Sequence, residues 1–156
     1  MLAHSPPLPL VLDYIDEDRE ATLEDEMGIL AALRYRDRVR RIRLSVPASN
    51  FQKLVASMDG EFPTLDYLCL EPQIDADDGV LVLPETFKAP LLRHLILVNL
   101  AFPIESPLLT AAVGLVTLSL QDIHPSTYFC PNDLLERLSV MPRLETLGIT
   151  FHSPIP

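Results

Sequence analysis

The chain has no tryptophan, five glycines and two cysteines in 156 residues. Gly28, Gly60, Gly79, Gly114 and Gly148 are too scattered to form a glycine-rich phosphate loop, and no G-x-x-x-x-G-K-[ST] or G-x-G-x-x-G turn occurs. Cys69 and Cys130 are too few for a disulfide framework, which points to a reducing, intracellular setting, cytoplasmic or nuclear. No apolar run nears the roughly 18 residues of a membrane span, so no membrane partner is expected. The first ten residues lack the basic start and unbroken apolar core of a secretion signal. Basic residues are also scarce. Twelve Lys and Arg against 22 Asp and Glu give a formal charge of −10, which argues against nucleic acid as a general partner. His4, His94, His124 and His152 are dispersed, with no H-x-x-x-H or C-x-x-C pair for a metal and no G-x-S-x-G elbow for a nucleophile. No catalytic, cofactor or metal residue is therefore assigned. A D-x-D-D-G stretch at Asp75 echoes part of a calcium loop, but its twelfth position is Thr86 rather than a bidentate Glu, so it reads as an acidic surface loop from Gln73 to Gly79.

What the chain has in abundance is leucine at fixed spacing. Val39-Arg-Arg-Ile42-Arg-Leu44, Leu65-Asp-Tyr-Leu68-Cys-Leu70, Leu92-Arg-His-Leu95-Ile-Leu97, Leu115-Val-Thr-Leu118-Ser-Leu120 and Leu144-Glu-Thr-Leu147-Gly-Ile149 share one L-x-x-L-x-L template. From Ile42 to Leu68, Leu95, Leu118 and Leu147 the steps are 26, 27, 23 and 29 residues. Pro9-Leu-Val-Leu12 is a degenerate sixth run. Period and template are those of the leucine-rich repeat. The expected fold is an α/β leucine-rich repeat solenoid, short and irregular. It would have a parallel sheet on its concave face and helices or turns on its convex side. Residues 1–156 form a single domain of five to six repeats in an array that looks incomplete, because it stops at Phe151-His-Ser-Pro-Ile-Pro without a polar capping repeat.

Period-two alternation sends Ile42, Leu44, Leu68, Leu70, Leu95, Leu97, Leu118, Leu120, Leu147 and Ile149 into a shared core. Pro47, Pro63, Pro72, Pro90, Pro103 and Pro142 fall at strand margins, where they remove no ladder donor. Between strands, Thr22 starts a helix to about Arg36 with a stripe of Ile29, Leu30 and Leu33. Ser49 or Asn50 caps a second through Met58, burying Phe51, Leu54 and Val55. Asn132 caps a third over Pro131 to Met141, with Leu134, Leu135 and Leu138 inward. Pro107 to Val113 form a shorter helix, and Pro84-Glu-Thr-Phe a single turn. Asp13 to Glu26 holds eight acids against Arg19, and Arg34 to Arg43 six arginines against Asp37. This reads as a solvated helix start and a basic helix end, with a partner-facing basic patch as the alternative.

The outward positions define the candidate site. Successive strands present Arg41, Arg43 and Ser45; Tyr67, Cys69 and Glu71; His94, Ile96 and Val98; Thr117, Ser119 and Gln121; and Thr146, Gly148 and Thr150. With strands about 4.8 Å apart this is one patch, and Ile96 and Val98 beside Tyr67 form its expected apolar centre. The expected occupant is a protein ligand on the concave face. The alternative is that His94 to Val98 are covered by another part of a longer chain. Cys69 beside His94 is the one outlying candidate for nucleophilic chemistry, and would need a lowered thiol pKa.

Phe87-Lys-Ala-Pro-Leu-Leu-Arg-His-Leu and Met141-Pro-Arg-Leu-Glu-Thr-Leu-Gly-Ile resemble strand starts in the irregular repeats of fungal F-box proteins, and the resemblance covers most of the chain. It implies substrate recognition for a ubiquitin ligase. The F-box itself is absent, since Pro7-Leu-Pro-Leu-Val-Leu-Asp-Tyr-Ile only echoes its pattern, so ligase subunits would be reached only through a longer chain. The consensus asparagine is missing from most units, with Asn99 one position early. The other function left open is a free-standing repeat scaffold or inhibitor unrelated to ubiquitin.

Overall fold

The computed structural model describes residues 8–15, 22–73, 81–101, 106–123 and 130–151. In chain order the elements are β1 (Leu10–Ile15), α1 (Leu23–Leu33), β2 (Val39–Ser45), α2 (Ala48–Ala56), β3 (Tyr67–Leu70) and β4 (Leu81–Val82). There follow β5 (His94–Val98), β6 (Leu100–Ala101), α3 (Pro107–Thr110), β7 (Thr117–Ile123), α4 (Pro131–Ser139) and β8 (Thr146–Phe151). The strands β1, β2, β3, β5, β7 and β8 pair in that order in one parallel sheet, giving the α/β class expected. Parallel neighbours need a return crossing, and the helices and turns supply it.

Register explains the core. Leu12, Ile42, Leu68, Leu95, Leu118 and Leu147 form one inward row, and Tyr14, Leu44, Leu70, Leu97, Leu120 and Ile149 the next. All of these except Leu147 belong, with Ile29, Leu33, Phe51, Leu54 and Val55 from the helices, to one apolar cluster or pack against it. Each fully buried leucine contributes about 1.5–3 kcal/mol. Phe62 and Phe87, ring centroids 5.4 Å apart, fill the space under the turns before β3 and β5. Leu147 departs from the core expected of it. It is 44% exposed, and Ile149 is half-buried, because β8 is the last strand of the sheet and α4 buries none of its residues. Leu135, expected inward, is exposed.

The helix ends differ from expectation in instructive ways. Thr22 does cap α1, its Oγ1 accepting the Asp25 N–H at 3.1 Å, but the helix stops at Leu33. The arginines beyond it therefore belong to a turn and to β2; Arg34 is the C-cap of α1, and none lies in its last helical turn. Neither Ser49 nor Asn50 caps α2. Its N-cap is Pro47, without a side-chain bond. Asn50 instead donates to Glu26 Oε2 at 2.8 Å, tying α2 to α1. Asn132 likewise lies inside α4, behind an N-cap at Cys130. The third crossing helix is one turn, Pro107–Thr110, capped by Ser106.

A small second sheet, β4 paired with β6, was not foreseen. It forms where the chain turns off the main sheet. Asn99 and Asp122 both have positive φ (57° and 54°), two residues past the inward Leu97 and Leu120. Asn and Asp tolerate this left-handed conformation better than most L residues. The bend tucks Leu100 and Ile123 into the core. Most of the acidic loop expected over Gln73 to Gly79 lies outside the described residues. No helix among those described is long and apolar enough to cross a membrane.

Candidate functional site on the outward sheet face

Sheet register places the outward residues in two rows. Val11, Arg41, Tyr67, His94, Thr117 and Thr146 form the first; Asp13, Arg43, Cys69, Ile96, Ser119 and Gly148 the second. The alternation read from the sequence thus brings most of the expected residues together. It also reaches one strand further than expected, since β1 adds exposed Val11, Asp13 and Ile15. The signal for these was the alternation within Leu10-Val-Leu-Asp-Tyr-Ile, and Asp13 falls opposite Arg43.

The first row is a chain of side-chain contacts across four strands. The Arg41 guanidinium lies 3.9 Å from the Tyr67 ring centroid. The Tyr67 and His94 rings pack at 5.9 Å with a 48° tilt. His94 Nδ1 and Thr117 Oγ1 share a 3.1 Å hydrogen bond. Cation–π contacts at such partly exposed sites contribute about 0.5–1 kcal/mol, so their main effect is to hold these side chains upright and in order. All four remain partly exposed. Into the second row Gln121 Nε2, two residues further along β7, donates to Ser119 Oγ at 3.0 Å, and Gly148 leaves room beside Ser119. Beyond both rows, Thr150 Oγ1 accepts the Asp122 N–H at 3.0 Å, bracing the end of β7 against β8.

Two expected surface residues are buried. Val98 is 8% exposed: it is the last residue of β5, hemmed in by the Asn99 turn and by Gln121 opposite. Cys69 is 9% exposed, a small side chain overtopped by Arg43 and Ile96 on its flanking strands. The apolar centre of the patch is therefore Ile96 with Tyr67. Glu71 lies one residue past β3 and is exposed, its N–H donating to Leu44 O at 2.9 Å.

Burial pushes the Cys69 thiol above its ordinary pKa, outweighing the pull of Arg43 and Arg41, while Glu71 adds to the rise. This is the reverse of what a nucleophile needs. No hydrogen bond joins Cys69 to His94, whose Nδ1 is engaged by Thr117. Among the described residues no cluster of three or more His, Cys, Asp or Glu is placed to hold a metal.

Of the six arginines read as one basic run, Arg34 ends α1 as its C-cap and the other five fall into two groups. Arg36 pairs with Asp59 and Arg40 with Asp66 at 3.8 Å, and Arg38 donates to Leu8 O, all near the strand starts. Only Arg41 and Arg43 reach the sheet face. No protein-family model matches the chain, and no curated protein or solved structure is detectably similar to it.

Proposed function

We propose that this chain is a short, irregular leucine-rich repeat array that recognises a protein ligand on the outward face of its sheet. The observation that carries this reading is the ordered row Arg41–Tyr67–His94–Thr117, which puts a cation, two rings and a hydroxyl side by side on four hydrogen-bonded strands. Aromatic and arginine side chains held in place by their neighbours make effective binding anchors, because little side-chain freedom is lost on association. The repeat reading draws on the L-x-x-L-x-L spacing and on six strands stacked in chain order. Arg41 and Arg43 near one end, on the second of the six strands, and Ile96 in the middle favour a ligand with acidic and apolar groups.

The more specific reading is substrate recognition for a fungal F-box-type ubiquitin ligase. It is supported by the likeness of Ala89-Pro-Leu-Leu-Arg-His-Leu and Met141-Pro-Arg-Leu-Glu-Thr-Leu to strand starts in that family. Immunopurification from the native cells with mass spectrometry tests both levels. Companions lost with Tyr67→Ala and Arg41→Glu, but retained with Leu135→Ser on α4, support recognition by the sheet face. Ligase subunits in a larger native chain support the adaptor role. Companions without them favour a free-standing scaffold or inhibitor. Companions indifferent to the face substitutions refute the face as the binding surface.

A further inference from the structure

The margin where strands begin carries a surface separate from the sheet face. An open cleft of about 520 Å³ lies beside the starts of β5, β7 and β8, lined by Leu91, Arg93, Val113, Gly114, Val140 and Arg143 together with two prolines. Leu91, Val113 and Val140 are exposed by 62%, 54% and 45%, unusually open for aliphatic side chains gathered in one place. Arg93 and Arg143 are also exposed. Unlike Arg36 and Arg40, they form no ion pair among the described residues. None of the described lining residues is acidic, although the chain as a whole carries −10. The cleft is thus a locally cationic, apolar-floored site on an anionic protein.

Its spacing indicates what would fit. Arg93 O accepts the N–H groups of Val116 and Thr117, and Val116 O those of Glu145 and Thr146. Arg93 and the turn carrying Arg143 are therefore two strand spacings apart, roughly 10 Å. An extended chain advances about 3.3 Å per residue with side chains alternating in direction, so carboxylates four residues apart, about 13 Å along one face, would reach both guanidiniums at the ends of their long side chains. A side chain between them would fall on Leu91, Val113 and Val140. We propose that this cleft docks an acidic segment of a partner protein, two carboxylates bracketing an aliphatic or aromatic residue. A free inorganic anion would engage the arginines but leave the apolar floor uncovered.

Gly114 makes the floor testable, because a Cβ added there meets nothing within 4 Å. Selection of a random dodecapeptide library against the whole chain is expected to enrich Asp or Glu at i and i+4 around an apolar residue at i+2. Affinity of the selected peptides should fall about tenfold in Arg93→Glu and again in Arg143→Glu. Gly114→Leu should block binding, and Tyr67→Ala on the sheet face should leave it unchanged. Unaltered circular dichroism and urea midpoints will show that the variants are folded. Peptides without paired acids, affinities indifferent to the cleft substitutions, or no binders at all would overturn the proposal. So would millimolar inorganic phosphate shifting the amide resonances around Arg93 and Arg143 while no peptide binds, which would mark a small-anion site instead.

Discussion

The carboxylate of Glu26 offers the sharpest test of how neighbouring crossings are joined. It is 6% exposed and sits in the first turn of α1. Its partners come from α2: Asn50 Nδ2 at 2.8 Å, and Lys53 Nζ at 3.7 Å on a side chain that is 66% exposed. A hydrogen bond to a charged group contributes about 1.5–3 kcal/mol, whereas an exposed ion pair at that distance contributes about 0.5 kcal/mol. Asn50→Ala should therefore cost about 2 kcal/mol and Lys53→Ala less than about 1 kcal/mol. In a domain of this size the first corresponds to a fall in Tm of roughly 4–8 °C. Replacing both partners, as Glu26→Leu with Asn50→Leu, removes the buried charge along with its donor and should restore most of the loss. Urea denaturation followed by circular dichroism, with m checked for constancy, reads all four chains. If Asn50→Ala were no worse than Lys53→Ala, the buried amide–carboxylate bond would not be what fastens α2 to α1.

Gly60 has φ of +86°, so Gly60→Ala should destabilise by about 1–2 kcal/mol through the backbone alone, measurable as a lower urea midpoint at unchanged m. Leu97→Asp and Val98→Asp should both unfold the chain, since the two side chains are 2% and 8% exposed, whereas Ile96→Asp on the half-exposed face should leave thermal unfolding near wild type. A thiol reagent should modify exposed Cys130 quickly and buried Cys69 only slowly, and equal rates would contradict the burial of Cys69. Because the folded Cys69 thiol titrates above its unfolded value, the unfolded chain loses that proton first, above about pH 8.5. Stability should accordingly fall more steeply with rising pH there in the native chain than in Cys69→Ala.

The strands and their inward rows were legible because period-two alternation is a local signal, and every interior strand repeats it. Helix caps were less so. Asn50 has the chemistry of a cap, but its amide is drawn to Glu26, 24 positions earlier, and nothing in the local sequence marks that bond. Alternation also assigned Cys69 and Val98 to the outward face without showing how deeply they sit. Depth depends on the height of neighbouring side chains and on the turn at Asn99, both set by strands distant in sequence. Leu147 and Ile149 obey the template yet lie half open, because template position fixes direction while burial requires a further layer. The ordered contacts among Arg41, Tyr67, His94 and Thr117 needed the register itself.

The strictly sequential pairing of the six main strands has a mechanical consequence. Each strand is bonded to the strand before it and the strand after it, so a load applied to the two ends of the chain meets the bonds in series. Extension should peel the outermost strand first and then the next, instead of breaking one large clamp at once. Each release frees a strand and its crossing, 23 to 30 residues from Leu12 to Ile42 and on to Leu147, or roughly 80–110 Å of extended chain. A protein joined this way gives up length in instalments under tension, and its inner strands are still paired when the outer ones have gone.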